Sequence, residues 1–393
     1  MIHMRIKSLP QKKIWRGQRV LLRVDFNVPL VKGRISEDFR ISAALPSIKY
    51  LQEKGARLII VSHLGDPTEP SADLSTRVLA KRLQKLLKSP VKFVPELLGQ
   101  QAEKASLALR DGEILFLENL RFHPGEKANN QKFAKGLAAL ADVYVNDAFS
   151  VCHRAQASVS AITRYLPAFA GLQLTAEVKN LQKIMRPRKP LVVVMGGAKI
   201  STKAPIIKKL YPRASQILLG GGLANAFFRH QGIEIGKSIY DEKANKIVAS
   251  FFKSGKIWPK IILPVDVVVC GSGGQSLNKA LTAVKKNDKI FDIGPDSVAL
   301  FSSYLKKAQT IVWNGPLGKF EDSAYKHGTI AIGVTIAARS TGRAFGLVGG
   351  GETVEAMKMT KMESYVDWIS TAGGAMLSYL GGEKMPGLKN IIS

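Results

Sequence analysis

Charged and amide side chains gather in the loops that follow the predicted strands of the first half of the chain. These loops are RVDFNVP (Arg23–Pro29), SHLG (Ser62–Gly65), LENLRFHPGE (Leu117–Glu126) and NDAFSVCHRAQAS (Asn146–Ser158). In a parallel sheet such loops meet at one edge, and ligands bind there. Arg40 lies near the start of a predicted helix. We expect the sheet edge to bring it together with the loop residues Asp25, Asn27, His63, Arg121 and Arg154.

These residue types predict a site for a small phosphorylated acid, because guanidinium groups bind phosphate and carboxylate through paired hydrogen bonds. Taken alone, each arginine is better explained as a solvated surface residue. His63 or His153 alone is equally well explained as a structural histidine. Three arginines and a histidine that all follow strand ends favour the binding site.

Glycine-rich loops fill the equivalent positions in the second half of the chain. Each follows a predicted strand and leads into a predicted helix; they are MGGAKISTK (Met195–Lys203), GGGLANAFF (Gly220–Phe228), GGGETVEA (Gly349–Ala356) and STAGGAM (Ser370–Met376). Glycine lets backbone N–H groups approach an anion, and a helix N-terminus adds a favourable dipole. Four such loops, one of them carrying Lys199 and Lys203, predict a polyphosphate site.

Several common enzyme classes are disfavoured because their motifs are missing. The sequence has no G-x-x-x-x-G-K-[ST] and no G-x-G-x-x-G after a strand, which disfavours a P-loop NTPase and a dinucleotide dehydrogenase. It has no H-E-x-x-H, and no G-x-S-x-G at a strand–helix turn. An acidic phosphorylated substrate in one half and a nucleotide polyphosphate in the other predict phosphoryl transfer by positioning and charge neutralisation.

The elements that position these loops are short aliphatic runs alternating with helical periods, which predict α/β domains with parallel sheets. The predicted strands are Val20–Phe26, Leu58–Ser62, Val91–Val94, Ile114–Leu117, Val143–Val145, Leu191–Met195, Gln216–Leu219, Ile261–Val269, Thr310–Trp313 and Ala344–Val348. An apolar stripe from Leu74 to Leu87 predicts a helix with Ser75 or Thr76 as its N-cap. A second stripe runs from Phe133 to Ala141.

A predicted helix, Thr175–Met185, separates two α/β domains. Pro187 and Pro190 in the RPRKP that follows end this helix, and LVVVM opens a new sheet. We expect an N-terminal domain over 1–172, an interdomain helix and hinge over 173–189, and a C-terminal domain over 190–375.

The composition is that of a globular protein with an unusual charge. The 393 residues are 46% apolar, which excludes a disordered chain, and Lys and Arg exceed Asp and Glu by 28 charges spread over the whole length. Two distant cysteines, Cys152 and Cys270, predict neither a disulfide framework nor a cysteine zinc site. No signal-peptide pattern or membrane-length apolar stretch is seen, so we expect a cytoplasmic protein.

The motifs together resemble the phosphoglycerate kinase family. RVDFNVPL, SHLG, LENLRFHPGE, VNDAF, GGAK, LPVD, VWNGPLGKFE, GGGET and GGAMLSYL…MPGL occur in order from about residue 20 to 388. The resemblance implies two Rossmann-like domains with a hinge, segment 376–393 returning to the N-terminal domain, and a monomer. It implies transfer of the acyl phosphate of 1,3-bisphosphoglycerate to ADP, giving 3-phosphoglycerate and Mg·ATP.

The resemblance also implies roles for individual residues. Asp25 and Asn27 would bind the glycerate end, with Arg40, His63, Arg121 and Arg154 around its carboxylate and phosphate. The residues acting on the transferring phosphoryl group would be Arg40, Lys203, Gly373 and Gly374. The nucleotide would be bound by Gly197, Lys199, Lys203, Gly221, Asn314, Glu321, Gly351, Glu352 and Thr353. Glu352 would also hold the Mg²⁺ ion.

The sequence departs from the family pattern at several site positions. Asp66 stands where the family usually has Arg, and Glu352 where it has a metal-binding Asp. The other departures are Ser150 and Val151 for Gly-Thr, Gln156 for a second His, Thr202 for Asp, and Ala372 for a glycine of the phosphate loop. Because Arg40, Lys199 and Lys203 remain, we expect an active enzyme that binds its substrate more weakly than the family norm.

Two other functions compete with the kinase. A catalytically weakened paralogue, or a nucleic-acid-binding protein using the basic charge, is disfavoured by the missing RNA-binding aromatic motifs and the absence of a concentrated basic stripe. Another α/β enzyme, such as a dehydrogenase, is disfavoured by the missing dinucleotide fingerprint. We therefore expect small-molecule partners and no nucleic acid.

Overall fold

The computed structural model describes residues 6–9, 15–242 and 245–392, and it divides the chain into two compact units. The described residues of Met1–Lys179 and Lys384–Ser393 form the first unit, and Asn180–Glu383 forms the second. The division falls inside a helix, Leu172–Met185, that begins three residues before the predicted one. The chain rejoins the first unit from Lys384 rather than from 376, because helix Gly374–Gly381 packs on helix Ile200–Leu210 of the second unit.

The first unit is built on a six-stranded parallel sheet with the strand order β5-β6-β4-β1-β7-β8. A two-stranded antiparallel hairpin, β2–β3, stands apart from it. In chain order the elements are β1 (Arg19–Arg23), β2 (Leu30–Val31), β3 (Arg34–Ile35), α1 (Phe39–Glu53), β4 (Arg57–Val61), α2 (Arg77–Leu87), β5 (Lys92–Val94), α3 (Gln100–Leu107), β6 (Ile114–Leu117), α4 (Gln131–Ala139), β7 (Val143–Asn146), β8 (Ala168–Ala170) and α5 (Leu172–Met185).

The central strands of this sheet are buried on both faces, as their continuous aliphatic runs predict. Helix α2 begins at Arg77, and the hydroxyl of Ser75 accepts a hydrogen bond from the Arg77 amide at 3.3 Å. Thr76 occupies the N-cap position, but its hydroxyl donates to the Leu117 carbonyl at 2.8 Å instead of capping the helix. The start of α2 is thereby tied to the end of β6.

The second unit has a six-stranded parallel sheet with the order β13-β10-β9-β17-β18-β19, a three-stranded antiparallel sheet β15-β14-β16, and a hairpin β11–β12. In chain order its elements are β9 (Leu191–Met195), α6 (Ile200–Leu210), β10 (Gln216–Leu219), α7 (Gly221–His230), α8 (Asn245–Ala249), β11 (Phe252–Lys253), β12 (Lys256–Ile257), β13 (Ile261–Ile262), β14 (Asp266–Cys270), β15 (Ser276–Ala280), β16 (Lys289–Ile293), α9 (Pro295–Lys307), β17 (Thr310–Asn314), α10 (His327–Ser340), β18 (Phe345–Gly349), α11 (Gly351–Met359), β19 (Trp368–Ser370) and α12 (Gly374–Gly381).

The predicted strand Ile261–Val269 is wrong as a single strand. It ends at Ile262, and Pro264, which has no N–H to give to a strand ladder, interrupts the run before β14 begins in the antiparallel sheet. The carboxylate of Asp266 accepts from the Ser297 amide at 2.7 Å and from the Asp296 amide at 3.1 Å, in the first turn of α9. The second half of the run is thereby fixed to a helix outside the parallel sheet.

In the part of the chain that the structure describes, no helix combines the length and apolarity needed to span a bilayer.

Candidate functional site

The loops after β1, β4, β6 and β7 meet at the carboxyl edge of the first unit's sheet, because these four strands are adjacent and parallel. Asp25 and Asn27 follow β1, His63 follows β4, Arg121 follows β6 and Arg154 lies beyond β7. Arg40 lies in the first turn of α1. The structure thus brings the predicted loop residues to one end of the unit.

Asp25 is the hub of this edge. Its side chain is 10% exposed, and it accepts hydrogen bonds from the Arg40 guanidinium and from the Ser150 hydroxyl. Burial by itself would raise the pKa of Asp25, but the charges of Arg40 and Arg23 and the hydrogen bond from Ser150 bring that pKa below its usual value. Asp25 is therefore a carboxylate that holds Arg40 at the sheet edge.

His63 is neutral and presents a defined tautomer. Burial, followed by the charge of Arg23, lowers the pKa of His63 well below its ordinary value. The Arg23 Nη2 lies 3.0 Å from the His63 Nδ1, and a guanidinium can only donate, so Nδ1 is the acceptor. The imidazole proton is left on Nε2, which makes His63 a neutral hydrogen-bond donor.

Arg23 and Ser150 were missed as site residues by the sequence analysis. Arg23 is completely buried at the end of β1, and its guanidinium also donates to the Ser158 hydroxyl at 3.2 Å. Arg23 could have been recognised from the sequence, because it is a charged residue at the end of the aliphatic run VLLR. For Ser150, a departure from the family pattern, no sequence signal indicated the hydrogen bond to Asp25.

Arg121 and Asn27 fix the loop that follows β4. The Asn27 Oδ1 accepts from the Gly65 amide at 2.8 Å, and the Arg121 guanidinium donates to the Gly65 carbonyl. Arg121 also lies 3.3 Å from the Asp66 carboxylate, which forms a second ion pair with Lys127. Arg154 is exposed, with its Nε 3.2 Å from the His153 Nε2.

The glycine loops of the second unit lie at the carboxyl edge of its parallel sheet. Helices α6, α7, α11 and α12 begin directly after β9, β10, β18 and β19, as predicted. Gly197 has φ +91° and Gly373 has φ +46°, a backbone region that favours glycine, and a Cβ atom at either would meet no other atom within 4 Å. Both loops therefore present open backbone at a helix N-terminus.

A cleft of about 320 Å³ lies beside these loops. Among the predicted nucleotide residues, Gly197, Gly221, Glu321 and Glu352 line it. Its walls are largely apolar and include Ala224, Phe228, Ile239, Pro264, Val267, Ile290, Phe291, Pro316 and Leu317. Apolar walls beside helix N-termini suit a flat base attached to phosphates.

Lys203 lies one turn into α6, beside the charge of Glu352. Burial lowers the pKa of Lys203 to about 8, and Glu352 opposes that shift. Lys199 is exposed at the N-cap position of the same helix. A partly desolvated ammonium next to a helix N-terminus interacts strongly with phosphate.

Asn314 and Thr353 are buried, and both hold loops in place. The Asn314 amide donates to the Gly349 carbonyl at 2.5 Å, and the Thr353 hydroxyl accepts from the Gly315 amide at 2.6 Å. These bonds tie the end of β17 to the start of α11. Gly351 and Gly374 lie exposed in the first turns of α11 and α12.

The phosphoglycerate kinase family model matches residues 11–383 of the chain. The chain belongs to the phosphoglycerate kinase family. A phosphoglycerate kinase from Sinorhizobium medicae is 38% identical over 98% of both chains, and one from Thermomicrobium roseum is 42% identical over 94% of this chain and 95% of its own. The solved phosphoglycerate kinase of Coxiella burnetii is 36% identical and covers 98% of this chain and 99% of its own, with a TM-score of 0.88.

Membership of the phosphoglycerate kinase family confirms the predicted reaction and fold class. The chain is a phosphotransferase that acts on a carboxyl group, in a step of glycolysis, and its substrates are the small molecules phosphoglycerate and ADP or ATP. The α/β architecture is also that of the solved phosphoglycerate kinase from Pyrococcus horikoshii, which is 31% identical over 98% of both chains with a TM-score of 0.84.

Proposed function

We propose that the carboxyl edge of the first unit's sheet binds 3-phosphoglycerate and 1,3-bisphosphoglycerate. The observation that carries this proposal is the group built around Asp25, in which a carboxylate positions Arg40 beside the neutral imidazole of His63. Asp25 and Asn27 bind the glycerate end, and Arg121 and Arg154 supply cations for its 3-phosphate. The His63 Nε2–H is a donor for a carboxylate or hydroxyl oxygen.

The nucleotide binds along the cleft of the second unit, with its phosphates towards the helix N-termini. Gly197, Gly221 and Glu321 line this cleft, and Glu321 is the residue that reaches the ribose. Lys199, Gly351 and Glu352 lie at the phosphate end. The Asn314 Nδ2 and the Thr353 hydroxyl are engaged with backbone groups, so both residues hold loops of the nucleotide site, and the buried Asn314 Oδ1 has no hydrogen-bond partner among the described residues.

Phosphoryl transfer in this enzyme is a matter of positioning and charge. The acceptor oxygen, on phosphoglycerate or on ADP, is already an oxyanion, so no general base is required. Charge on the equatorial oxygens of the transferring group is stabilised by Arg40 and Lys203 and by the amides of Gly373 and Gly374. The acyl phosphate must be kept from water, and hinge-bending about 173–189 is the motion we propose for this.

Mg²⁺ fits this site as an ion carried by the nucleotide. Within the described residues, no group of three or more His, Cys, Asp or Glu side chains could hold a metal ion by itself. A single carboxylate, Glu352, stands at the phosphate end, and magnesium in phosphoryl-transfer sites commonly uses one or two carboxylates with phosphate oxygens and water. When bound, the ion neutralises charge on the phosphate oxygens.

We further propose that the enzyme is a cytoplasmic monomer that does not bind nucleic acid. The basic excess is distributed along the chain, which supports weak attraction of small anions over a dedicated polyanion site. Gel filtration with light scattering tests the oligomeric state, and we expect the mass of one chain. Retention on DNA at physiological salt would contradict the absence of nucleic acid.

A coupled assay with Mg·ATP and 3-phosphoglycerate tests the proposed site. We expect turnover that depends on both substrates, with a KM for 3-phosphoglycerate above the family norm. Arg40→Ala should lower kcat by about 100-fold or more, in the range for losing a donor to transition-state charge. Arg34→Ala, which removes an exposed arginine of the same unit, is the matched control. Equal activity in the two variants would contradict the role of Arg40.

A further inference from the structure

The carboxylate of Asp66 lies at the meeting point of three cations. Its Oδ1 pairs with the Lys127 ammonium and lies 3.3 Å from the Arg121 Nη1. The pKa of Asp66 is held below its usual value by the hydrogen bond from Lys127, and the charges of Arg121 and Arg154 act in the same direction. Asp66 is therefore an anion already seated among the cations that face the substrate edge.

Lys127 is presented to this meeting point by an anchored segment. The preceding residue, Glu126, is completely buried, and its carboxylate accepts from the Ser158 amide at 2.9 Å and from the Ser158 hydroxyl at 2.6 Å. The Glu126 carbonyl accepts from the Ala157 amide at 3.0 Å. Because Glu126 is buried and hydrogen-bonded, it anchors the backbone from which the Lys127 side chain reaches Asp66.

The two partners of Asp66 differ in exposure from Asp66 itself. The Arg121 side chain is 6% exposed and is held by the Gly65 carbonyl, whereas the Lys127 side chain is 46% exposed and the Asp66 side chain is 69% exposed. Arg121 is thus the fixed part of the cluster, and the exposed Asp66 carboxylate is the part that can turn out into water.

We propose that Lys127 is a phosphate-binding residue of the substrate site, and that the Asp66 carboxylate is an internal anion which substrate phosphate displaces. This inference rests on the proposed binding of phosphoglycerate at this sheet edge. A phosphate dianion has more charge and more acceptor oxygens than one carboxylate, so it replaces Asp66 as the partner of these cations. Binding is weakened by the ion pairs that must first be broken, and kcat is unaffected because the exchange is complete before transfer.

Single substitutions separate the two roles. Lys127→Met should raise the KM for 3-phosphoglycerate, and Asp66→Asn should lower it, each by about three- to tenfold, the range for partly exposed charge-assisted contacts. Neither should change kcat or the KM for ATP. Lys132→Met, which removes an exposed lysine of nearby α4, is the matched control and should change neither KM.

The double variant tests displacement. With Asp66→Asn in place, Lys127 is free to meet phosphate, so adding Lys127→Met should raise the KM by a larger factor than it does in the parent enzyme. The inhibition constant of inorganic phosphate, competing with 3-phosphoglycerate, should follow the same order across the variants. A purely structural ion pair would instead change the melting temperature and leave these constants unchanged, and that result would overturn the proposal.

Arg121→Met distinguishes failure of this inference from failure of the proposed site. If Arg121→Met raises the KM for 3-phosphoglycerate and Lys127→Met behaves like Lys132→Met, only the role of Lys127 is wrong. If Arg121→Met also leaves that KM unchanged in an active enzyme, phosphoglycerate binds elsewhere and the proposed site is wrong.

Discussion

The protonation of Lys203 should be visible in the pH dependence of the kinase. Burial lowers the pKa of Lys203 to about 8 in the free protein, and the neighbouring charge of Glu352 raises it against that effect. Only the protonated ammonium can stabilise the transferring phosphoryl group. Activity that depends on Lys203 should therefore fall as pH rises through this pKa.

The size of the effect follows from the protonated fraction. With a pKa of about 8, roughly nine-tenths of Lys203 is charged at pH 7 and about one-tenth at pH 9, so kcat/KM for ATP should fall about tenfold per pH unit at the alkaline end. Because kcat/KM for ATP reports the enzyme before the nucleotide has bound, this limb should begin near pH 8. The limb in kcat should lie at higher pH, since bound phosphate raises the pKa of Lys203.

Substitution of Glu352 supplies the decisive comparison. Glu352→Gln removes the charge that raises the pKa of Lys203, so the alkaline limb should move to lower pH. Glu355→Gln, an exposed residue of the same helix, makes the same charge change and should leave the limb in place. The assay is kcat/KM for ATP from about pH 6.5 to 9.5, at saturating 3-phosphoglycerate and magnesium and constant ionic strength. A flat profile to pH 9.5, or equal shifts in both variants, would refute the reasoning.

Three further predictions test other parts of the structure. Asp66→Arg should lower the KM for 3-phosphoglycerate and leave that for ATP nearly unchanged, and steady-state kinetics with no change in either constant would contradict a place for Asp66 beside the substrate. Gly196→Ala should raise the KM for ATP and lower the melting temperature, because the new Cβ would lie 1.9 Å from the Pro316 carbonyl oxygen. Gly342→Ala is the control and should do neither, because the nearest atom to its Cβ would be 3.6 Å away. Burial raises the pKa of Asp147 to about 6, so its ionisation opposes folding as pH rises through that value. Denaturant unfolding should find Asp147→Asn more stable than the parent by about 1–3 kcal/mol at pH 8, with little difference near pH 4.

The sequence predicts best those strands that are buried on both faces. Ile114–Leu117, Leu191–Met195 and Gln216–Leu219 have the predicted bounds, because an uninterrupted aliphatic run is stable only between two helical layers. The antiparallel sheet was not predicted. Its strand β15, Ser276–Ala280, is exposed along most of its length and has no apolar periodicity to mark it. Strands β8 and β19 are three residues each, too short for a pattern.

The candidate site was predictable where a side chain follows a strand, and not where its role depends on a distant partner. Position along the chain is enough to place Asp25, His63 and Arg121 at one sheet edge. Nothing in the sequence indicates that Arg23 sets the tautomer of His63, since the two residues are 40 positions apart. Nor does the sequence indicate that Lys127 pairs with Asp66, because the two residues lie on different loops.

Local pairing, more than the net charge of +28, governs how this protein handles anions. Arg40 is paired with Asp25, and Arg121 and Lys127 are paired with Asp66, so these three cations at the substrate edge already have carboxylate partners. A phosphorylated substrate therefore exchanges partners at this edge, and its affinity depends on the difference between two sets of ion pairs. Charges elsewhere on the surface act through a field that salt screens within about 8 Å at physiological ionic strength. Reversing Asp66 should accordingly change substrate binding far more than removing any single distant lysine.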